Sequence, residues 1–498
     1  MQSTLESEKL EQLPAVDCVI IGAGLSGIGA ARHLQIHCPS KSFVLLEARQ
    51  TLGGTWDLFR YPGIRSDSDM YTLGYSFKPW RNAKAIADGP AILNYIRETA
   101  AQYRIDRHIR NCHRVTGLQW CSQRARWTVL GERTENGRPY SVECRFLISC
   151  TGYYNYQAGY CPEFPGRDRF TGRIVHPQQW PEDLDCSSQR VVVIGSGATA
   201  MTLVPALANG GAQVTMLQRS PTYVVSRPDR DWIANLLRRL LPETWAYAMT
   251  RWKNVILQQW VYGLSRRYPQ MLRKHLLNAV KKELGGSVDV EKHFSPAYNP
   301  WDQRLCLVPN SDLFHAIRSG KVSVVTETIE RFTESGILLS SGQHLPADII
   351  VTATGLEVVV GGDADMMVDG SPVKVADRWS YKGSMLEGVP NMVSVFGYTN
   401  ASWTLRADLI AEFACRLINR MDATGTEIVQ PKLRPQDQQM RARPWLDGFT
   451  PGYLQRASHL MPKQGDRQPW INPQNYRKDK KMFRNSSLDD DVLEFRSP

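Results

Sequence analysis

Two glycine-rich loops of one design, Gly22-Ala23-Gly24-Leu25-Ser26-Gly27 and Gly195-Ser196-Gly197-Ala198-Thr199-Ala200, each follow a short apolar run and open a segment of helical periodicity. In such a loop the first glycine permits a tight turn, and the second lets the backbone approach a pyrophosphate. The third position lets helix and strand pack closely, and the helix N-terminus faces the negative charge. The first unit reads as strand over 16–21, helix over 25–37 and strand over 43–46, and the second as 191–194, 198–208 and 214–217. Repeated strand–helix–strand units predict an α/β chain with two Rossmann-like, parallel, doubly wound sheets and two bound dinucleotides at their strand C-termini.

The strand ends tell the two ligands apart. Glu47 closes the second strand of the first unit, where a carboxylate accepts ribose hydroxyls, and an N-terminal unit ending this way suits FAD. The second unit carries Gln218-Arg219-Ser220 in place of the acid. Without a carboxylate there is no repulsion, and Arg219 with Ser220 offers charge-assisted contacts to a 2′-phosphate, which favours NADPH over NADH.

At 498 residues the chain exceeds one hydrophobic core, so two or three domains are expected. No apolar run is long enough to span a bilayer. Residues 1–14 mix acidic and polar side chains, so no secretory leader is expected. The 10 cysteines form no CxxC pair and have no histidines at ligand spacing, which points away from a disulfide framework or a metal site and towards a reducing, cytoplasmic setting. Cys18 and Cys150 fall in apolar runs and read as core. The net charge of +11 is mostly local, because the basic residues crowd between Arg227 and Gly285. A nucleic-acid footprint over the whole fold is therefore not indicated.

That basic segment also carries Trp232, Leu236, Leu240, Trp245, Met249, Trp252, Ile256, Trp260 and Leu264 at helical spacing, broken near Pro242 and Pro269. One reading is a helical subdomain that packs these side chains onto the nucleotide domains. The other is a basic, apolar surface that rests peripherally on a membrane or admits lipid-like substrates. The tail, residues 477–498, reads as a solvated end.

Two longer motifs specify the chemistry. Phe170, Gly172, His176, Trp180 and Pro181 fill the pattern FxGxxxHxxxW followed by Pro or Asp, and Gly53, Gly54, Trp56, Tyr61, Pro62, Gly63 and Asp67 fill GGxWxxxx(F/Y)PGxxxD. On these motifs the chain resembles a type I Baeyer–Villiger monooxygenase, a class B flavoprotein monooxygenase. Similarity continues through Asn299–Cys306, Ala353–Gly355 and Gly397–Trp403, and looks closest to the ethionamide-activating and long-chain alkane-associated subgroup. The resemblance implies FAD, NADPH and O2, a flavin C4a-peroxide, and oxygen insertion beside a ketone carbonyl to give an ester or lactone. A hydrophobic or long-chain ketone is the implied substrate, and sulfoxidation a side activity. It assigns Arg304 and Asp67 to catalysis. FAD contacts are implied at Gly22, Gly24, Ser26, Gly27, Glu47, Thr55, Trp56, Asp57, Leu58, Asp67 and Val115. NADP contacts are implied at Gly195, Ser196, Gly197, Ala198, Thr199, Gln218 and Arg219. Gln303 stands where many relatives carry Lys, which removes one implied NADP contact.

His176, before Pro177 and between the two loops, reads as part of the connection between domains, coupling NADPH binding to domain position. The implied division is an FAD domain over 1–150, an NADP domain over 151–222, a helical insertion over 223–303, the NADP domain again over 304–389 and the FAD domain over 390–498. An alkane hydroxylase or an N- or S-oxidising flavin enzyme is the main alternative. A disulfide reductase would need a redox cysteine pair that this sequence lacks.

Overall fold

Strand β1 (Val16–Ile21) passes through the Gly22 turn into helix α1 (Leu25–His37), and β2 (Phe43–Leu46) returns parallel to β1. Gly22 sits at φ 100°, and a Cβ there would lie 2.6 Å from the Cys150 carbonyl oxygen; one on Gly27 would lie 1.9 Å from the Gly22 carbonyl oxygen. No side chain fits either place. Glycine costs a helix about 1 kcal/mol relative to alanine, and α1 contains Gly27 and Gly29. Burial of Ile28 and Leu34 beside Leu409 and Phe413 of a long C-terminal helix offsets this, at about 1.5–3 kcal/mol for each fully buried side chain.

Short helices α2 (Thr55–Leu58) and α3 (Met70–Leu73) and the longer α4 (Gly89–Gln102) follow. The chain then forms a meander of β3 (His113–Cys121), β4 (Arg126–Arg133) and β5 (Pro139–Ser149), with β5 parallel beside β1. The first sheet is therefore mixed, where a parallel one was expected. Short turns join β3, β4 and β5, and only antiparallel strands can be linked so briefly.

The second sheet comprises β6 (Arg173–Val175), β7 (Arg190–Ile194) with its helix α5 (Ala198–Asn209), and β8 (Gln213–Gln218). Helices α6 (Trp232–Leu240), α7 (Glu243–Arg267) and α8 (Pro269–Leu284) intervene before β9 (Val322–Thr326) and β10 (Ile349–Thr352). This sheet is wholly parallel, in the order β9-β8-β7-β10-β6. Its central strands read as unbroken apolar runs because both faces are buried.

Strand β11 (Asp365–Val368) then pairs with β3, β12 (Met392–Ser394) pairs with β5, and helix α9 (Trp403–Thr424) packs on α1. The chain thus rejoins the first sheet at Asp365, ahead of the return at residue 390 read from the sequence. A four-residue strand with one buried side chain, Met366, leaves too little periodicity to be seen. The two crossing segments, Tyr154–Gly159 and Leu356–Val358, pair antiparallel with each other.

The computed structural model describes residues 10–498, so the expectation about a leader in residues 1–14 falls largely outside it. The tail is not a solvated end. Leu493–Arg496 pairs with Ile428–Pro431, Phe483 is fully buried, and buried Asp479 meets buried Arg406 at 3.5 Å. Scattered anchors among many charges hid this packing. All 10 cysteines are free, with Cys18 and Cys150 buried as expected. No helix among the described residues is long and apolar enough to cross a membrane.

Nothing lies within 4 Å of a Cβ placed on Gly197, in contrast to Gly27. Gly27→Ala should lower stability by at least ~2 kcal/mol and Gly197→Ala by less than ~1 kcal/mol, read as urea midpoints at constant m-value.

Candidate functional site

A cavity of about 590 Å³ runs from the first glycine loop to the start of α5. The first half of the fold contributes Gly22, Gly24, Ser26, Glu47, Thr55, Trp56 and Val115 to its wall, the second half contributes Ala198 and Thr199, and both Asp67 and Arg304 face it. Glu47 accepts hydrogen bonds from the Ala23 N–H at 2.8 Å and the Arg49 N–H at 3.0 Å. Burial raises its pKa above the usual carboxylate value, against the pull of these two donors. It therefore buttresses the loop from beneath as well as lining the space above.

Residues 53–67 work as a stay between the two halves. Gly54, at φ 56°, lies against Gly24, so that a Cβ on it would come within 2.9 Å of the Gly24 Cα. Phe59 and Tyr61 pack into the core of the second sheet, and the Thr202 hydroxyl donates to the Tyr61 oxygen at 3.4 Å. Gly63 touches α5 so closely that a Cβ would lie 2.6 Å from the Thr202 carbonyl oxygen. Arg65 donates to both Asp312 carboxylate oxygens, at 2.5 and 3.3 Å. This anchoring delivers Asp67 to the boundary between the sheets.

There Asp67 meets Arg304 side-on. Arg304 Nη2 donates to Oδ1 at 2.8 Å and Nε lies 2.5 Å from Oδ2, a two-point pairing that fixes the plane of the guanidinium. Arg304 retains 38% side-chain exposure, and its contact is with the cavity. Burial opposes its charge, yet the neighbouring Asp67 carboxylate outweighs burial and holds the guanidinium protonated.

Tyrosines that the sequence reading did not assign to the site complete the surroundings of this pair. Tyr153 and Tyr154 follow directly from β5, their hydroxyl oxygens 2.8 Å apart. Tyr153 stacks on Trp403, with ring centroids 5.4 Å apart, and the Trp403 indole N–H donates to Ser26 Oγ at 2.8 Å. Burial drives both phenols well above their usual pKa, against the opposing charge of Arg304, so they remain protonated. Their one signal in the sequence is position, just past the C-terminal end of a central strand, where ligands of such sheets collect.

The other expected residues lie elsewhere. Gly27 and Gly195 shape their turns, Gly197 opens α5, and Ser196 Oγ donates to the Ser220 carbonyl at 2.9 Å. Arg219 is exposed at the end of β8. Three of the expected residues turn their side chains away from the cavity lining. Asp57 is buried outside the cavity, where Arg49, Arg60 and Arg97 surround its carboxylate. Leu58 packs into the core of the second sheet. Gln218 is 1% exposed and its amide donates to the His293 carbonyl and Thr326 Oγ1, so its side chain stabilises the sheet edge. A polar side chain at a strand end points to either side with equal ease, and the sequence does not distinguish them.

His176 is likewise outside the cavity lining. Nε2 donates to the Gly355 carbonyl at 3.2 Å and Nδ1 accepts from the Gln178 N–H, the pattern of a neutral ring. Burial lowers its pKa. Gln178 and Gln179 donate to the Asn155 and Gln157 carbonyls. The peptide therefore clasps the two crossing segments.

A fold with two dinucleotide loops opening onto one cavity, and a cavity-facing guanidinium between them, defines a protein of the two-dinucleotide α/β class. The sequence profile described as flavin-binding monooxygenase-like matches residues 85–361, and that of an NAD(P)-binding Rossmann-like domain matches residues 20–88. The FAD-containing monooxygenase EthA of Mycobacterium tuberculosis is 56% identical over 481 residues, covering 96% of this chain and 97% of that protein. The probable FAD-binding monooxygenase AlmA of Acinetobacter baylyi is 47% identical over 481 residues, 96% of each chain. The fold is shared with an oxidized steroid monooxygenase bound to NADP (TM-score 0.77, 23% identity, 97% of this chain and 100% of that one) and with cyclohexanone monooxygenase bound to ε-caprolactone (TM-score 0.74, 20% identity, 97% and 100%). The chain belongs to the flavin-binding monooxygenase-like family, and within it to the group that holds EthA.

Two substitutions probe this geometry. Asp67→Ala should slow NADPH-dependent turnover by ~10–100-fold through misplacement of the guanidinium, while stability falls by under ~1 kcal/mol because the pair is partly open to the cavity. Arg219→Ala should raise the KM for NADPH by about tenfold, the worth of one charge-assisted hydrogen bond, and leave that for NADH unchanged.

Proposed function

We propose that this flavin monooxygenase inserts one atom of O2 beside the carbonyl of a hydrophobic, long-chain ketone to give an ester or lactone, and oxidises sulfur as a side activity. The reading places the enzyme in the cytoplasm. The observation that carries it is the two-point Arg304–Asp67 pair on the wall of the cavity joining the two nucleotide loops.

Gly22, Gly24, Ser26, Glu47, Thr55, Trp56 and Val115 fit an FAD laid along the first loop, and Ser196 to Thr199 with Arg219 fit NADPH at the second. The open space over Gly197 leaves room for a phosphate at the helix N-terminus. When bound, FAD supplies the activation of oxygen with electrons from NADPH. Arg304 suits a place where negative charge gathers on oxygen, since a guanidinium keeps its proton at any working pH and offers several donors. Asp67 occupies Nε and Nη2, leaving Nη1 to the reacting oxygen. Tyr153 and Tyr154 present protonated phenols and ring faces beside it, a surface suited to a carbonyl on an apolar chain.

The test is product mass from ¹⁸O₂ with NADPH and, in parallel, a long-chain 2-ketone, the matching alkane and a thioether. One labelled oxygen in an ester is expected, with ester formation reduced ~10²–10³-fold in Arg304→Ala. An untouched ketone beside an oxidised thioether or alkane would replace ketone oxidation with one of those activities. Full ester formation by Arg304→Ala would sink the assigned role.

A further inference from the structure

Helix α7 is amphipathic the wrong way round. Its outward stripe is Trp245, Met249, Trp252, Ile256 and Trp260, spaced three or four residues apart, with the three indoles 62–69% exposed. On the neighbouring α6, Trp232 and Leu240 are likewise 72% and 70% exposed. Of the two readings of this segment, packing of these side chains onto the nucleotide domains does not describe them. The face that does pack is largely polar. Tyr247 donates to the Tyr75 carbonyl, Arg251 to the Tyr71 and Gly74 carbonyls at 2.9 and 2.7 Å, and Asn254 and Gln258 to the two Asp69 carboxylate oxygens at 2.9 and 2.8 Å.

A helix held by hydrogen bonds on its inner face, with its apolar residues turned out, satisfies its polar groups and leaves an apolar patch uncovered. The margin of the patch is cationic. Arg239 lies beside Leu240, Arg267 lies two turns past Trp260 on the same face, and Lys274 is exposed on α8; none of these has a carboxylate partner among the described residues. Indole rings with lysine and arginine at their edge match the headgroup zone of an anionic bilayer. A second copy of the chain fits less well, because a twofold contact would set this cationic margin against itself.

We propose that the exposed side chains from Trp232 to Trp260 form the docking face for an anionic lipid bilayer, and that α7 links this face to the cavity wall. Asp69, gripped by Asn254 and Gln258, follows the cavity-lining Asp67 and Ser68, and Val255 packs with Tyr398 and Ala401, which also line the cavity. The docking claim stands apart from the ketone reading; only delivery of a lipid-dissolved substrate rests on it.

The FAD-loaded enzyme should float with phosphatidylcholine vesicles that contain phosphatidylglycerol, bind pure phosphatidylcholine more weakly, and lose about tenfold in affinity between ~0.1 and ~0.5 M salt. The triple variant Trp245→Ser, Trp252→Ser, Trp260→Ser and the pair Arg239→Glu, Arg267→Glu should each lose at least about tenfold, with flavin content, Tm and NADPH oxidation in solution unchanged. A wild-type enzyme that stays with the buffer, or a triple variant that floats as well as wild type, overturns the proposal. So does a dimer in sedimentation velocity that the triple variant dissolves while neither protein binds vesicles. Flotation reads no turnover, so failure of the ketone assay leaves this result intact.

Discussion

Asp67 and Arg304 meet across 237 residues of sequence, and everything around the cavity is arranged so that they can. A guanidinium beside half-buried phenols keeps one plane only where a carboxylate grips it at two points, so Arg304 is aimed at the cavity only where an acid reaches it. Asp67 reaches it because Tyr61, Gly63 and Arg65 fasten the preceding segment to the second sheet. The pair is thus a readout of how the two halves sit together. A shift of the second sheet relative to the first would pull on the carboxylate before it disturbed either glycine loop.

Sequence order alone exposed the nucleotide units well, because tight turns and buried parallel strands admit few residue types. Val191–Ile194 can be little else than a strand, and Gly22 and Gly27 can be nothing but glycine where they stand. Arg304 and Asp67 were legible only through resemblance, since an arginine in a short irregular segment carries no local mark. Tyr153 and Tyr154 escaped notice because aromatic residues after a strand are ordinary core material; what singles them out is the charge brought beside them by a distant part of the chain. Asp57 shows the converse. It lies inside a recognised motif, yet its carboxylate belongs to an arginine cluster that no spacing rule reveals.

Helix α7 marks a different limit. Periodicity establishes that a helix has two unlike faces and is silent on which one faces in. The usual rule assigns the apolar face to the core, and here Arg251, Asn254 and Gln258 hold the inner position through bonds to backbone carbonyls and to Asp69. The inversion depends on those acceptors being free on α3 and its approach, a fact of tertiary arrangement alone.

The two glycine loops share a design and differ in their roofs. Gly24 is met at van der Waals distance by Gly54, whereas nothing stands over Gly197. The segment that covers the first loop, Gly53 to Asp67, is itself tied to the opposite sheet through Tyr61, Gly63 and Arg65. The second loop has no such cover among the described residues. The asymmetry suits a ligand that stays through many turnovers at the first loop and one that is exchanged at the second.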